Sequence, residues 1–341
     1  MLTKFLRASL MVEETAVARI QKTILWRKEF GVEQVLTETF PEEFSQAGYV
    51  HGVDLVGRPV MFNVYGVHQE IFSGKLAQVK LHVMMLLTSS VFLDLNRFLR
   101  WRVQLMEHGI KQLDFHSANS LVQIHDYDGV SMFSSTESTK AAARETVKLF
   151  AEHYPELLAK KFFINVPWYM AGFYSFLQPL IPAKTAEKFV ICSSGYKEDL
   201  LKVIPVDSLP VKYGGLSRLG NEKILVATPP ELGKVTATAV TISARTFHAV
   251  EAKIEQAAEV YWEFVLLEDD IEFACNFVDH EGKLTSVEAV RKVEAAITVG
   301  KFAAPSAGTL KLVFDNSNSI FTSKLVYHRH LVVATPASAT E

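Results

Sequence analysis

Few residues of this chain combine in the patterns that enzymatic chemistry requires. Ser193-Ser194-Gly195 lies at the end of a predicted strand, where a serine could act as a nucleophile or bind phosphate. It lacks the flanking first glycine of a nucleophile elbow, and the sequence has no G-x-S-x-G, G-x-G-x-x-G or Walker pattern. The residue pattern therefore predicts no catalytic residues.

Histidines and carboxylates are the remaining candidates for metal chemistry. His328 and His330 share one face of a predicted strand, a spacing suited to chelation, but no third ligand lies near them in sequence. HDYDG (125–129) lacks the third acidic position and the distal glutamate of a calcium loop. We therefore predict a solvent-facing strand at the two histidines, a strand end and turn at HDYDG, a hairpin tip at 268–270, and no metal or cofactor.

Composition narrows the class of protein further. The chain has 341 residues, 49% hydrophobic and 21% charged, with a formal net charge of −3, which is an ordinary globular balance. No basic stripe interleaved with aromatic residues is present, so nucleic acid is not a predicted partner. The two cysteines, Cys192 and Cys275, lie in apolar runs and are predicted to be buried reduced thiols, which suits a cytoplasmic protein.

Membrane insertion is not indicated by hydropathy. Residues 1–14 lack the apolar region and cleavage site of a signal peptide. The most apolar window, 83–95, is too short to span a bilayer. We therefore expect any membrane contact to be peripheral.

Apolar periodicity predicts alternating strands and helices up to residue 215. The sheet elements are a hairpin at 49–65, which turns at 55–58, and strands at 121–125, 162–166 and 189–193. The helices are at 13–30, with Ile24 and Leu25 on its apolar stripe, at 93–113, with Phe98, Trp101, Leu105 and Ile110 on one side, and at 136–153, with Val147 inward. Strands joined by helices imply a mainly parallel sheet with crossover helices, an α/β fold.

The pattern changes after Gly215. Residues 216–233 are rich in glycine and proline, as linkers are. From Val235 onward the chain consists of short alternating or apolar runs between polar turns, which predicts an all-β sandwich.

The helix predicted after Pro167 is apolar on two faces. Its stripes are Tyr169, Phe173, Phe176 and Leu180, and Met170, Tyr174, Leu177 and Ile181. Such a helix must meet apolar material on both sides, so it is either a core helix or one that contacts lipid. Together with the missing catalytic patterns, it indicates a protein that holds a lipid.

Several sequence motifs resemble known domains. FLRAS (5–9), WRKEFG (26–31), YVHGVD (49–54), GRPV (57–60), NRFLRWRVQ (96–104), HYPE (153–156), FINVPW (163–168) and LPVKYGG (209–215) together look like a CRAL-TRIO lipid-binding domain. LVYHRH (325–330) ends a segment that resembles a GOLD domain. This order is similar to the plant patellins.

The resemblance implies a division of the chain. We predict a partial helical head at 1–31, a CRAL-TRIO domain at 32–218 with an atypical insert at 76–92, a linker at 219–234, a GOLD-like β-sandwich at 235–333 and a tail at 334–341. Patellins carry a long acidic region and a complete helical head before FLRA. Because Phe5 is only four residues from Met1, we expect an N-terminally short form.

The resemblance also implies a binding site. The helix 168–181 corresponds to a movable gate over an acyl-chain cavity, formed by Trp168, Tyr169, Met170, Phe173, Tyr174, Phe176, Leu177 and Leu180. Thr185, Lys188 and Glu156 occupy the positions of a phosphoinositide-headgroup site. A solvated Lys188–Glu156 pair is the alternative interpretation. The family's basic residues at three nearby positions are replaced by Leu157, Ser9 and Leu10, which predicts altered headgroup affinity.

The resulting functional prediction is a phospholipid- or phosphoinositide-binding and transfer protein, peripheral at membranes and free of cofactors. The patellin resemblance implies roles in membrane trafficking and cell-plate formation during cell division. Basic residues of the β segment, such as Lys292, Lys311, Lys324 and Arg329, could either face anionic headgroups or belong to a solvated surface of mixed charge. The first alternative is a membrane-associated adaptor whose β domain binds protein partners, and the second is a hydrolase on the α/β scaffold.

Overall fold

The computed structural model describes residues 1–67, 90–131, 137–168, 186–218, 228–267, 269–294 and 297–335. The chain divides into two compact units, Met1–Val203 and Ile204–Glu341. Each unit is described by itself.

Unit 1 combines helices with a sheet. Its described helices are α1 (Leu2–Ala8), α2 (Glu13–Phe30), α3 (Val32–Val35), α4 (Glu42–Ala47), α5 (Ser90–Lys111), α6 (Glu137–His153) and α7 (Tyr196–Leu201). Its described strands are β1 (Gly48–Val53), β2 (Pro59–Val64), β3 (Leu121–Asp126), β4 (Leu158–Ile164) and β5 (Phe189–Ile191).

The described strands of unit 1 form one sheet in sequential order, β1 to β5. β1 pairs antiparallel with β2, and β2, β3, β4 and β5 are all parallel. The Asp54 carboxylate holds the turn between β1 and β2 by accepting hydrogen bonds from the backbone nitrogens of Val56 at 3.0 Å and Arg58 at 2.8 Å. The predicted hairpin and mainly parallel sheet are confirmed.

Helix α5 packs on the sheet face that carries Met61 and Leu121, and Ala142 of α6 belongs to the same core. Phe98, Trp101 and Leu105 of α5 are buried in the same core, as the helical spacing predicted. Helix α5 approaches the sheet closely at Gly109, where a Cβ atom would meet the side chains of Leu121 and Met61.

Three apolar residues of unit 1 that were predicted to face inward point to solvent. Ile24 and Leu25 of α2 and Val147 of α6 are exposed. Helix α2 instead buries the small residues Ala16 and Thr23. The Thr23 hydroxyl lies 3.1 Å from His153 Nδ1 in α6, and Trp26 and Phe30 of α2 pack against the apolar core.

Unit 2 is built from antiparallel strands. Its described strands are β6 (Thr238–Ile242), β7 (Phe247–Ile254), β8 (Ala258–Leu266), β9 (Asp270–Asp279), β10 (Leu284–Glu294), β11 (Ile297–Ala304), β12 (Gly308–Asp315) and β13 (Lys324–Ala334). In the described chain they form two four-stranded sheets, ordered β10-β9-β12-β7 and β11-β8-β13-β6. The predicted all-β sandwich is confirmed.

Aromatic rings fill the core of unit 2. The Phe264 ring lies 4.7 Å from Phe273 and 4.9 Å from Phe314, measured between centroids. Trp262 of β8 is paired in register with Gly300 of β11. A Cβ atom at residue 300 would collide with the indole, so glycine is required there by close approach.

The LPVKYGG segment (209–215) folds within unit 2 as a short 3₁₀ turn, Val211–Tyr213, with flanking loops. Leu209 and Tyr213 are fully buried. A Cβ atom at Gly215 would collide with the Leu209 carbonyl group, which explains the need for glycine at the end of this motif.

Two predictions about unit 2 are wrong. The strand that carries His328 is not solvent-facing, because His328 and Arg329 are both buried. The acidic turn is not a hairpin tip, because β8 and β9, on either side of it, belong to different sheets. In that turn Lys324 Nζ donates a hydrogen bond to Asp269 Oδ2 at 2.8 Å.

Candidate functional site

The gate prediction falls largely outside the described residues. Tyr169, Met170, Phe173, Tyr174, Phe176, Leu177 and Leu180 are not described, nor are Thr185 and most of the insert 76–92. Trp168, at the start of the predicted gate, is exposed.

The strand that leads to the gate ends in a defined turn. Asn165 follows β4 with a φ of 53° and donates from Nδ2 to Asp126 Oδ1 at 2.8 Å. Asp126 also accepts a hydrogen bond from the Asp128 backbone nitrogen at 3.0 Å. HDYDG is therefore a strand end and turn, as predicted, and its buried aspartate fixes the exit of β4.

Lys188 and Glu156, the two described members of the predicted headgroup site, lie together. Glu156 precedes β4 and Lys188 precedes β5, and these strands are parallel neighbours, so both residues lie at the amino-terminal edge of the sheet. Lys188 Nζ is 3.4 Å from Glu156 Oε2, and both side chains are about one-third exposed, at 28% and 35%. The pair is accessible to a ligand.

A third residue, Lys4 of α1, joins this pair and was missed by the sequence analysis. Lys4 Nζ donates to the Glu156 carbonyl oxygen at 2.7 Å, and the side chain is buried. Burial lowers the pKa of Lys4, against the raising effect of the Glu156 carboxylate, and the charges of Lys188 and Arg7 lower it further. No sequence pattern indicated Lys4, because a lysine on a helix is ordinarily exposed to solvent.

Arg19 of α2 fixes the position of α1. Its guanidinium donates to the Ala8 carbonyl oxygen, at the end of α1, and to the Ala151 carbonyl oxygen in α6, both at 3.0 Å. The Trp26 ring stacks on His153 at 4.0 Å between centroids, beside the same end of α6. These contacts place Lys4 against the residues that follow α6.

The replaced family positions have become apolar or neutral. Leu157 is buried, and its carbonyl oxygen accepts from the Leu121 backbone nitrogen at 2.7 Å. Ser9 is buried, and its Oγ has no hydrogen-bond partner among the described residues. Leu10 is exposed with a φ of 52°. Among the described residues, Lys4, Lys188 and Arg7 therefore bring positive charge to this edge of the sheet.

The described part of the chain has no cluster of three or more potential metal-binding side chains. Ser193 and Ser194 are exposed on the loop after β5. None of the helices in the described ranges has the length and apolar character needed to cross a bilayer.

Four of the basic residues of unit 2 are held in ion pairs. Lys292 pairs with Asp270 at 2.7 Å, and Lys311 pairs with Glu251 at 2.9 Å. Arg329 is buried against Glu263. The expectation that Lys324 and Arg329 face lipid headgroups is wrong, because both are buried in ion pairs.

The fold and the sequence together define the class of this protein. The family model described as the CRAL/TRIO domain matches residues 43–215, which is half of the chain. The α/β unit with its mainly parallel sheet lies largely within this match.

The curated relatives identify the family more narrowly. Patellin-6 of Arabidopsis thaliana is 33% identical over 331 residues, a match that covers 93% of this chain and 75% of the relative. The chain belongs to the patellin family of CRAL/TRIO-domain proteins. Patellin-5 of the same plant is 29% identical, and the match covers 97% of this chain but only 48% of that relative.

A fungal relative extends the comparison. The phosphatidylinositol transfer protein SFH5 of Cryptococcus neoformans is 34% identical over 235 residues, which covers 63% of this chain and 73% of the relative. Among solved structures, the crystal structure of Sfh5 superposes with a TM-score of 0.49 at 27% identity, over 57% of this chain and 64% of that one.

Proposed function

We propose that this protein binds a phospholipid and transfers it between membranes, with a phosphoinositide headgroup held by Lys188, Thr185 and Lys4 at the amino-terminal edge of the sheet. The observation that carries the proposal is the cluster in which Lys4 and Lys188 both contact Glu156. Family membership and the name of the relative SFH5, a phosphatidylinositol transfer protein, support it.

The chemistry of the cluster suits a phosphate group. A lysine ammonium is a compact donor that can pair with phosphate oxygens. Glu156 keeps Lys188 in place at 3.4 Å when no headgroup is present. A bound phosphate would replace Glu156 as the partner of the Lys188 ammonium, because it would form a stronger charge-assisted hydrogen bond.

The acyl chains would be shielded inside unit 1, with residues 168–181 as the movable cover. We further propose that the protein acts in the cytoplasm as a peripheral membrane protein, in membrane trafficking or cell-plate formation. It would carry its lipid without converting it, so the lipid recovered after transfer should be chemically unchanged.

The test is transfer of phosphatidylinositol between donor and acceptor vesicles by the full chain. We expect Lys188→Ala to reduce transfer roughly tenfold or more, because a hydrogen bond to a charged group contributes about 1.5–3 kcal/mol. The matched control is Lys202→Ala, which removes another exposed lysine that is paired with a carboxylate, Asp199, at 2.9 Å.

If the wild type transfers lipid and the two lysine variants show the same reduction in transfer, the headgroup assignment is contradicted. Binding of phosphatidylinositol without transfer would favour the adaptor, in which unit 1 senses lipid. Release of a hydrolysed lipid would favour the hydrolase.

A further inference from the structure

The turn between β1 and β2 carries two apolar residues at its tip. Leu55 and Val56 occupy its two central positions, because the Gly57 backbone nitrogen donates to the Asp54 carbonyl oxygen at 3.0 Å. Such positions ordinarily hold polar residues, glycine or proline. Leu55 is 64% exposed and Val56 is 58% exposed, so neither turn formation nor core packing accounts for these two side chains.

The turn is held by groups other than these two side chains. The buried Asp54 carboxylate, which accepts from the turn backbone, also forms an ion pair with Arg58 at 2.6 Å. The Asp54 backbone nitrogen donates to the Arg58 carbonyl oxygen at 2.9 Å, and Gly57 adopts a φ of 83°. The Leu55 backbone nitrogen donates to the Val203 carbonyl oxygen at 2.9 Å. The apolar tip is therefore fixed in an outward position.

The tip lies at the same edge of the sheet as the headgroup cluster. β2, β4 and β5 are parallel, so the turn before β2, Glu156 before β4 and Lys188 before β5 all lie at the amino-terminal edge. Only β3 separates β2 from β4, so the starts of these two strands are about 10 Å apart at about 4.8 Å per strand spacing. One approaching surface can therefore contact the tip and the cluster together.

Positive charge exceeds negative charge beside the tip. Lys4, Lys188 and the exposed Lys160 of β4 lie at this edge, against the carboxylates of Glu156 and Glu187. The charges next to the tip are paired with each other: Arg58 with Asp54, and Lys202 with Asp199. Exposed apolar side chains beside an excess of lysine are the combination that binds the surface of an anionic bilayer.

We infer that the turn 54–58 inserts Leu55 and Val56 into the interfacial region of an anionic lipid bilayer, while the lysines of the same edge face its headgroups. The inference rests on the proposed lipid-transfer function, because it brings the lipid source to the edge at which the headgroup is held. It adds a membrane contact that is separate from residues 168–181 and from unit 2.

Binding of the full chain to sedimented vesicles tests this contact. Vesicles of phosphatidylcholine and phosphatidylserine supply an anionic surface without an inositol headgroup. We expect the double variant Leu55→Ser/Val56→Ser to lower the partition coefficient about tenfold or more, because the burial of two apolar side chains is lost. Serine suits a turn and leaves the net charge unchanged, so the variant should fold.

The matched control is Leu284→Ser/Val290→Ser. It removes a leucine and a valine of β10 that are 65% and 67% exposed, and it should leave vesicle binding unchanged. Vesicles of phosphatidylcholine alone should bind the wild type more weakly than the anionic vesicles. Added salt should weaken binding to the anionic vesicles only in part, because it screens the lysines but not the apolar contact.

A fluorophore reports the insertion itself. Leu55→Cys can be labelled selectively with a nitrobenzoxadiazole maleimide, because Cys192 and Cys275 are buried. The label at residue 55 should gain fluorescence when anionic vesicles are added, since it moves from water into an apolar medium. The same label on Leu284→Cys should show no such gain.

Equal vesicle binding by the wild type and Leu55→Ser/Val56→Ser would overturn the inference, as would unchanged fluorescence of the label at residue 55. If the wild type transfers phosphatidylinositol but its vesicle binding does not depend on the tip, the docking contact is refuted and the proposed function stands. If binding depends on the tip but no lipid is transferred, the docking contact stands and the proposed function fails.

Discussion

At the scale of single residues, burial decides the protonation state of several groups in this chain. His328 of β13 is buried, and its Nδ1 has no hydrogen-bond partner among the described residues. Burial, with smaller effects from His330 and His248, lowers its pKa from 6.5 to about 4. The neutral form is therefore favoured in the folded protein.

This shift makes unit 2 sensitive to acid. Between pH 6.5 and about 4 the unfolded chain binds a proton at His328 that the folded chain does not, so stability falls as the pH is lowered through this range. Each unit of pKa shift corresponds to about 1.4 kcal/mol, so the free energy of unfolding should fall by about 3 kcal/mol across this pH range. This loss of stability can be measured by amide hydrogen exchange of β8 and β13 at pH 7 and pH 4.5, corrected for the intrinsic exchange rates.

We expect His328→Leu to reduce this pH dependence. The control His280→Leu replaces an exposed histidine of the same unit and should leave the dependence as it is. An unchanged pH profile in His328→Leu would show that another group causes the acid sensitivity.

At the scale of elements, one buried arginine connects β13 to the irregular segments of unit 2. Arg329 Nε donates to Glu263 Oε1 at 2.6 Å, and its Nη1 lies 3.1 Å from Asp207 Oδ1. It also donates to the carbonyl oxygens of Leu216 and Val235, both at 3.2 Å. β13 therefore holds the segments on both sides of the predicted linker.

Arg329→Met should destabilise unit 2 by about 3–5 kcal/mol, because it leaves a buried carboxylate without one of its partners. Glu263 would retain only its ion pair with Arg218. The loss should appear as faster hydrogen exchange at residues 204–218 and 229–235. Arg291→Met, which removes an exposed arginine paired with Glu288 on β10, is the matched control.

If the amides of residues 204–218 are equally protected from hydrogen exchange in Arg329→Met and in the wild type, the LPVKYGG segment is held by its apolar contacts alone. Leu209 and Tyr213 are the residues that would then carry this role.

At the scale of the whole molecule, each compact unit contains one free, buried cysteine. Cys192 lies in unit 1 and Cys275 in unit 2. Burial raises the pKa of both thiols to about 12, reinforced by Asp199 at Cys192 and by Glu288 at Cys275. The prediction of buried reduced thiols is confirmed.

The two thiols should therefore be unreactive in the native protein and report the opening of each unit. We expect negligible reaction with a thiol reagent at pH 8, since the thiolate is the reactive form, and reaction of both cysteines in denaturant. Mass spectrometry of peptides labelled at increasing denaturant identifies which unit opens first. Rapid labelling of Cys192 without denaturant would contradict the burial described for unit 1.

The sequence by itself determined the elements and the family. Apolar alternation and helical spacing predicted the hairpin, helix α5, the parallel sheet and the sandwich, because these patterns are local consequences of which face of an element is buried. The motifs 163–168 and 209–215 identified the CRAL/TRIO domain, and Glu156 and Lys188 were predicted as a pair.

Only the tertiary structure decided which charges and which faces are buried. Lys4 lies far from Glu156 in sequence and meets it only when α1 packs beside the end of α6, so no local pattern could place this contact. For the same reason Ile24 is exposed, although helical spacing placed it on an apolar stripe. His328 is buried, although its sequence pattern predicted an exposed strand face, because burial depends on the partner that covers an element.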